Sequence, residues 1–412
     1  MIDIATRRIG NTTLLALKGR MDSTSKQTLM DVITREIGRP DQQIALDLAD
    51  VSYISTSGLK ILRQIYEETG AVRLVQPSER VSEVLQITGL NSVYQFFNSQ
   101  LQAIHAISPI VNAHTHLELG WLDEFRPDVT GQAFFEWILK TVANARKALG
   151  TRLDAVSKEA AVKSVQKLIA QGTTTVCDIT TTGASLAPLI HSDLKGVVYV
   201  EVLGLTKEDG EARLKQAREL IDEWRPKERK DGVKIGLSLH SPYTVLPDLW
   251  HDALDYVRDE NLPLCIHVAE SPAEYEFFTK GTGEIADANI RMGLNFESPK
   301  VTPIAYLEDI GALDLRPLLV HAVHVDDEDI KRIVANECSV VHCPRSNLRL
   351  RCGRMPLEKY VAANVPVYLG TDSLGSSPSL NVLDEIEVAV ALHYGKVEPE
   401  KIKQMAHRPL VI

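Results

Sequence analysis

Cysteine is scarce in this sequence and lacks the spacing that would give it a structural role. Its five residues (Cys177, Cys265, Cys338, Cys343 and Cys352) form an odd number with no CxxC pair. That excludes a disulfide framework and a cysteine-built zinc site, and it points to a reducing, cytoplasmic setting. No apolar run approaches the ~18 residues that a membrane-spanning helix needs. The opening MIDIATRRIG lacks the basic-then-apolar layout of a secretory signal. An excess of positive charge is missing too. With 45 Lys+Arg against 55 Asp+Glu, the net charge is −10, which argues against nucleic-acid binding and a polybasic membrane surface. What remains is ordinary globular composition: 412 residues, 44 % hydrophobic and 24 % charged, with mean hydropathy −0.07.

Histidine and cysteine are absent from residues 1–100, although twelve histidines and five cysteines follow. That first stretch carries 11 Lys+Arg and 11 Asp+Glu, whereas the rest carries 34 against 44 and so the whole net charge. Composition therefore divides the chain into a module over 1–100, a linker over 101–108 and a second module over 109–412.

In the first module a Thr-rich strand over Asn11–Leu17 leads to a helix over Ser23–Ile37, with Leu29, Val32, Ile33 and Ile37 on one face. Then come a strand over Gln43–Val51, a helix over Gly58–Tyr66, a strand over Val72–Val75 and a helix over Val81–Ile87. Strands separated by helices imply a sheet covered by helices. Ser55-Thr56-Ser57-Gly58 marks a strand-to-helix junction, where a hydroxyl caps the helix. A phosphate at the same place would meet the positive end of the helix dipole and add about two negative charges. The stretches GRMDSTSKQTL, IALDLADVSYISTSGLKIL, VRLV and SERVSEVLQITGL resemble the STAS domain of anti-anti-sigma factors over almost all of residues 1–100. The resemblance implies a regulatory module with a protein partner, a kinase or an anti-sigma-like protein. It sets Ser57 at the family's phosphorylated serine, while Ser55 stands where the family often has aspartate.

The second module holds eight β-rich runs: Ile110–His116, Thr173–Asp178, Val197–Leu205, Val233–His240, Leu262–Val268, Leu318–His321, Ser339–His342 and Val365–Asp372. Helix-sized intervals separate them, among them the helical stretches Gly131–Leu149 and Lys158–Gln171. Eight apolar strands alternating with helices predict a (β/α)₈ barrel, in which catalytic groups stand at the C-terminal strand ends. Five of the strands end in, or are closely followed by, histidine, and the eighth ends in aspartate.

The sharpest motif is Asn112-Ala113-His114-Thr115-His116. Residues i and i+2 of a strand share a face, so both imidazoles enter the barrel. His267 ends the fifth run with Glu270 three residues on, and Asp372 ends the eighth. Three imidazoles and one carboxylate make an N₃O site suited to a catalytic Zn²⁺ or Fe²⁺. The stretches VNAHTHLELG, QGTTTVCD, LSLHSPYTV, CIHVAESPAEYEF, LVHAVHVDDEDI, VVHCPRSNLRL and VYLGTDSLGS resemble the amidohydrolase superfamily, in its cytosine-deaminase-like and chlorohydrolase-like branch. The resemblance implies one metal held by His114, His116, His267 and Asp372. It also implies acid–base and water-orienting work by Glu270 and His321, and substrate contact by His240. No lysine is placed to bridge a second metal in VVYVEVLGL or KIGLSLH, so one ion per chain is expected. His324 competes with His321 for its role. His342 is expected to support the site or pack, and His105, His191, His251, His393 and His407 to lie on the surface or on helices. The ladder Glu118, Glu270, Glu274 and Glu276 offers carboxylates to a polar substrate, against a default of exposed glutamate. The β-sandwich that usually flanks this barrel is expected to be mostly missing. Its N-terminal half is replaced, and forty residues follow Asp372.

The expected chemistry is hydrolytic deamination of an aminated heteroaromatic ring. Glu270 serves as proton shuttle, Asp372 as acceptor of the water's proton, and His321 as the group that polarises the water. Within the branch, HTHLEL and HVAESPAEYEF are most similar to deaminases of adenine-bearing nucleosides, including aminodeoxyfutalosine. The alternatives are a chlorohydrolase or amidase of the same superfamily, or a metabolite- or metal-sensing regulator with an inactive barrel.

Overall fold

A computed structural model describes residues 2–9, 12–37, 43–69, 72–97, 100, 103, 109–125, 133–294 and 296–411. The chain divides into two compact units, Met1–Pro109 and Ile110–Ile412. Of the linker placed at 101–108, only Ala103 is described; it is buried beside Leu14, Ala45 and Val75 of the first unit.

The first unit is a five-stranded sheet in the order β1 (Asp3–Ile9), β2 (Thr12–Met21), β3 (Gln43–Ile54), β4 (Arg73–Val75) and β5 (Gln95–Phe97). Only the β1–β2 pairing is antiparallel. The helices α1 (Lys26–Ile37), α2 (Thr56–Thr69) and α3 (Glu79–Ile87) connect the strands. Two strands were not expected. DIATRRI has too few apolar residues to read as a strand and is held as an edge by pairing with β2, from Asp3↔Lys18 to Ile9↔Thr12. QFF is three residues long, and pairing with β4 makes it a strand. In the middle of the sheet Leu15, Leu17, Leu46 and Leu48 pack against Leu29, Ile33, Ile61 and Leu62 of the helices, all at most 1 % exposed.

The unit thus has a core of its own. Residues 1–109 expressed alone will unfold in one cooperative transition. Leu46→Ala will lower its stability by ~2–5 kcal/mol. A gradual, non-cooperative melt would refute independent folding.

The second unit contains all eight expected barrel strands: β6 (Ile110–Thr115), β7 (Thr173–Thr180), β8 (Lys195–Val202), β9 (Val233–Leu239), β10 (Leu264–Val268), β11 (Leu318–His321), β12 (Ser339–His342) and β13 (Val367–Leu369). They pair in sequence order, parallel throughout. Alternation sorts their side chains. Val198, Val200 and Val202 join the layer under the helices, whereas Val197 and Tyr199 fill the barrel with Val111, Cys177, Cys265, Val320 and Tyr368. The barrel closes between its first and last strands. The Thr371 and Asp372 amides donate to the His114 carbonyl at 3.1 and 3.0 Å, and Asn112 Nδ2 donates to Thr371 Oγ1 at 2.9 Å. Gly370 permits this approach, because a Cβ there would stand 2.7 Å from that of His114. Beyond β13 the described residues form only the helices Val382–Leu392 and Pro399–Met405. Arg345 clamps the first of these from the helix Pro344–Arg349, bonding Glu385 at 2.6 Å and Asp384 at 3.1 Å.

Candidate metal and catalytic centre

Four strand ends bring the centre together. From β6, His114 and the following His116 turn inward, helped by a register shift against β7 between Asn112 and Thr115. His267 comes from β10, His321 from β11 and Asp372 from the loop after β13. His321 and Asp372 lie at φ 72° and 57°, left-handed values that cost non-glycine residues energy and concentrate at functional sites. Backbone bonds hold the kink after β11, with the Ala322 amide on the Val268 carbonyl at 3.0 Å and the Val323 amide on that of Ala269 at 2.9 Å.

The side-chain nitrogens converge. His116 Nε2 and His267 Nε2 are 3.3 Å apart with their rings nearly parallel at 7°. Asp372 Oδ1 is 3.5 Å from His114 Nε2 and 3.7 Å from His116 Nε2. The donor atoms of His114, His116 and His267 lie within 4.8 Å of one another, as do those of His114, His321 and Asp372. Burial drives the imidazoles to the neutral form, with His116 lowered to about 4, His321 to about 3 and His267 well below the usual histidine range. Burial would raise Asp372, but His114 and the neighbouring imidazoles hold it well below the usual carboxylate range.

These residues fit a divalent metal. The Nδ1–H of His267 is committed to the His240 carbonyl at 3.0 Å, so its Nε2 presents a lone pair to the centre. His114 Nε2 is buried without a hydrogen-bond partner. Imidazole nitrogens converging beside a carboxylate, one of them buried without a partner, are the donor set of a Zn²⁺ or Fe²⁺ site.

The support around the ligands was not legible in the sequence. Ser346 and Ser376 hydroxyls donate to Asp372 Oδ2 at 2.6 and 2.9 Å, fixing that oxygen while Oδ1 faces the histidines. Asn347 Oδ1 accepts from His321 Nδ1 at 2.9 Å, so His321 presents Nε2 to Glu270 Oε1, 3.4 Å away. Burial, then the charges of Asp372 and Glu274, pushes Glu270 well above the usual carboxylate range. Glu274 is 1 % exposed and takes the Ala269 and Glu270 amides at 2.8 and 2.9 Å, pinning the turn that carries Glu270.

Several expectations change. Glu118, expected at the substrate, does not line the cavity. Its carboxylate is consumed by the Thr181 amide at 2.9 Å and by the hydroxyls of Thr180 and Thr182 at the end of β7. His324 turns away and donates from Nε2 to the Cys352 carbonyl at 2.6 Å. His342 packs in the interior against His393, Nε2 to Nε2 at 3.1 Å. His393, expected at the surface or on a helix, is fully buried just after the helix Val382–Leu392 and also meets Arg354. His191 and His251 are exposed, and His105 lies outside the described residues. His240 lines the cavity, its Nδ1 2.7 Å from Thr244 Oγ1.

Glu201 was missed. It continues the inward file of Val197 and Tyr199, binds Thr181 Oγ1 at 2.7 Å, and forms a donor group with His240 and His267. An acid inside the apolar run VVYVEV was the available signal. The centre opens onto a cavity of about 260 Å³ whose walls include Phe134, Trp137, Ile138, Leu203 and Ile285.

In the first unit Ser55 is the helix cap, its Oγ accepting from the Gly58 amide at 3.2 Å, and Ser57 lies half-buried in the first turn of α2. A Cβ at Gly58 would press to 2.4 Å of the Met21 carbonyl oxygen, so the junction needs glycine.

A profile of the amidohydrolase family matches residues 109–406, and one of the STAS domain matches residues 3–103. The aminodeoxyfutalosine deaminase of Deinococcus radiodurans is 38 % identical over 299 residues, 70 % of this chain and 68 % of that protein. The 5-methylthioadenosine/S-adenosylhomocysteine deaminase of Carboxydothermus hydrogenoformans is 26 % identical over 299 residues, 72 % of this chain and 64 % of its own. The crystal structure of Helicobacter pylori aminofutalosine deaminase with methylthio-coformycin shares the fold, at TM-score 0.61 and 21 % identity over 78 % of this chain and 76 % of that one. The eight-stranded parallel barrel, its histidine-bearing strand ends and these matches lead to one conclusion: the chain belongs to the amidohydrolase family, with a STAS domain ahead of the barrel.

Proposed function

We propose that this chain is a metal-dependent hydrolytic deaminase acting on an aminated heteroaromatic ring of the purine-nucleoside class, such as aminodeoxyfutalosine or an adenosine derivative. The observation that carries the reading is the pairing of an N₃O donor set with a buried glutamate, pushed by its burial well above the usual carboxylate range, beside a largely apolar cavity. Deaminase relatives at up to 38 % identity support it.

His114, His116, His267 and Asp372 hold one divalent ion per chain, zinc or iron. Such an ion lowers the pKa of a water to about 7 and so supplies the nucleophile at neutral pH. The chain's own residues do the rest. Asp372 takes a proton from the attacking water. His321 Nε2, with its Nδ1 tied to Asn347, orients that water by accepting from it. Glu270 is protonated before attack and gives its proton to the ring nitrogen. Water oxygen bonds to the amine-bearing carbon; the proton held on Asp372 passes to the amine, the C–N bond breaks and ammonia leaves, while Glu270 takes back a proton from the new hydroxyl as it becomes the carbonyl. His240 and the apolar walls position the ring.

Zinc-loaded full-length protein, screened across purines, pyrimidines and adenosine derivatives, is expected to release ammonia from an adenine nucleoside. Chloride or amide products alone would replace this reading with the chlorohydrolase or amidase one. Absence of any turnover would favour the sensor with an inactive barrel.

The STAS domain is a protein-interaction module switched by phosphate on Ser57. Supporting this, Ser57 is not the cap, and Arg20 and the exposed Tyr53, 4.1 Å from guanidinium carbon to ring centre, lie on the neighbouring strands β2 and β3. The partner is a kinase or an anti-sigma-like protein. Pulldowns with wild type, Ser57→Ala and Ser57→Asp are expected to recover different partners. Identical partners at equal affinity, with no phosphate on Ser57 in cells, would end the switch. The five cysteines are free and buried, which supports a reducing, cytoplasmic location. No helix of the described residues is long and apolar enough to cross a membrane.

A further inference from the structure

The four ligands proposed for the metal differ in how the chain holds them. His267 is tied through Nδ1 to the His240 carbonyl, and Asp372 through Oδ2 to Ser346 and Ser376. His114 lies within β6, where its carbonyl takes the Thr371 and Asp372 amides. His116 has neither kind of support. It lies one residue beyond β6, and among the described residues no hydrogen bond from outside the centre reaches its ring. The backbone on either side of it must therefore set where Nε2 points.

That backbone leaves regular pairing just before His116. From Asn112 to Thr115 β6 advances three residues while β7 advances two, from Val176 to Asp178. An extra residue of this kind interrupts the ladder and re-aims the side chains around it. Asp178, 0 % exposed, supplies the acceptor there. Its Oδ1 takes the Leu117 amide at 2.8 Å and Thr115 Oγ1 at 2.9 Å, gripping the residues on both sides of His116. Its Oδ2 accepts from Ser185 Oγ, which fixes the plane of the carboxylate. Glu118 returns the grip, taking the Thr181 amide at 2.9 Å and Thr182 Oγ1 at 2.7 Å. Two buried carboxylates thus cross-link the turns after β6 and β7 in both directions, and neither lines the cavity. Keeping such groups from water costs free energy, and apolar side chains can join two turns without that cost. What the carboxylates add is direction.

We propose that Asp178 is a positioning residue for the metal centre, acting through Thr115 and the Leu117 amide to fix the direction of His116. The inference rests on the metal centre of the reading above and is independent of the substrate.

Two measurements on the full chain test it: zinc affinity by competition with a chelator, and the visible spectrum of the Co²⁺-loaded protein, which reports ligand geometry. Asp178→Ala is expected to weaken zinc binding by roughly 10- to 100-fold and to shift the Co²⁺ bands, as loss of a group that orients a ligand does. Asp178→Asn keeps an oxygen for Leu117 and Thr115 and should stay near wild type in both. Thr115→Val removes one of the two bonds and should weaken zinc by a smaller factor; it carries the test if Asp178→Ala does not fold. Ile333→Ala, in the core behind the helix Asp327–Ala335, should lower the melting temperature while leaving affinity and bands unchanged. Wild-type affinity and bands in Thr115→Val and in any folded Asp178→Ala would overturn the proposal and leave the centre standing. Equal losses in Asp178→Asn and Asp178→Ala would overturn it too, because geometry would not be what the residue supplies. A wild type that binds no ion would sink the centre and the proposal with it. The expected zinc affinities in a protein that releases no ammonia would uphold the proposal while the deaminase reading fails.

Discussion

His116→Ala will release the metal from the centre and lower turnover by at least ~10³-fold, because the same residues supply both the ion and the nucleophile it activates. His116 stacks on His267 with the two Nε2 atoms 3.3 Å apart, meets the His114 ring edge-on at 4.9 Å between centroids, and lies 3.7 Å from Asp372 Oδ1. Removing it leaves two imidazoles and one carboxylate, short of the four protein ligands proposed. The fold should survive. His116 follows the last residue of β6, and the bonds that close the barrel run through Asn112 and the His114 carbonyl. Metal per chain should therefore fall from about one to near zero while the melting transition stays cooperative. A variant that keeps one ion per chain would remove His116 from the centre.

Glu270→Gln will keep the metal and lose activity by ~10²–10⁴-fold, the range for a positioned general acid–base group. The substitution preserves shape and removes the carboxyl whose hold on a proton is strengthened by burial, Asp372 and Glu274. Glutamine can still accept the weak contact from Cys352 Sγ, 3.8 Å from Glu270 Oε1. The turn itself is pinned independently by Glu274 through the Ala269 and Glu270 amides. The loss should thus appear in kcat, with metal content and melting temperature near wild type. Near-wild-type turnover would show that Glu270 is not the proton shuttle. The two variants separate the roles: His116→Ala loses metal and rate together, Glu270→Gln rate alone.

The order of elements is legible in the sequence because it is written in local periodicity. Eight apolar runs, spaced by helix-length intervals, form eight parallel strands, and His116, His240, His267, His321 and Asp372, at or beside the ends of five runs, reach the cavity, whereas His342 packs inside. HxH on one strand, His267 with Glu270 three residues on, and a strand-final Asp372 are short-range patterns. The first module is legible in the same way wherever its strands carry apolar runs. The strands over Asp3–Ile9 and Gln95–Phe97 are not, because pairing with a neighbour, rather than their own side chains, makes them strands.

What the sequence by itself determined was the parallel barrel and the position of His116, His267, His321 and Asp372 at its strand ends, since each depends on spacing within a single element. Only the tertiary structure decided how the remaining polar groups are used. Glu118 could be read as a substrate ligand, but Thr180, Thr181 and Thr182, some 60 residues on, take its carboxylate. Asn347 becomes the group that sets His321's tautomer, and Ser346 and Ser376 fix Asp372, only when three strand ends meet. Glu201 and Arg146 lie far apart in sequence, yet the barrel sets both on the walls of one cavity. A carboxylate or guanidinium reads alike in a string whether exposed, saturated or left unmatched. Barrel closure, which joins Asn112 to Thr371 across 259 positions, settles which of these it is.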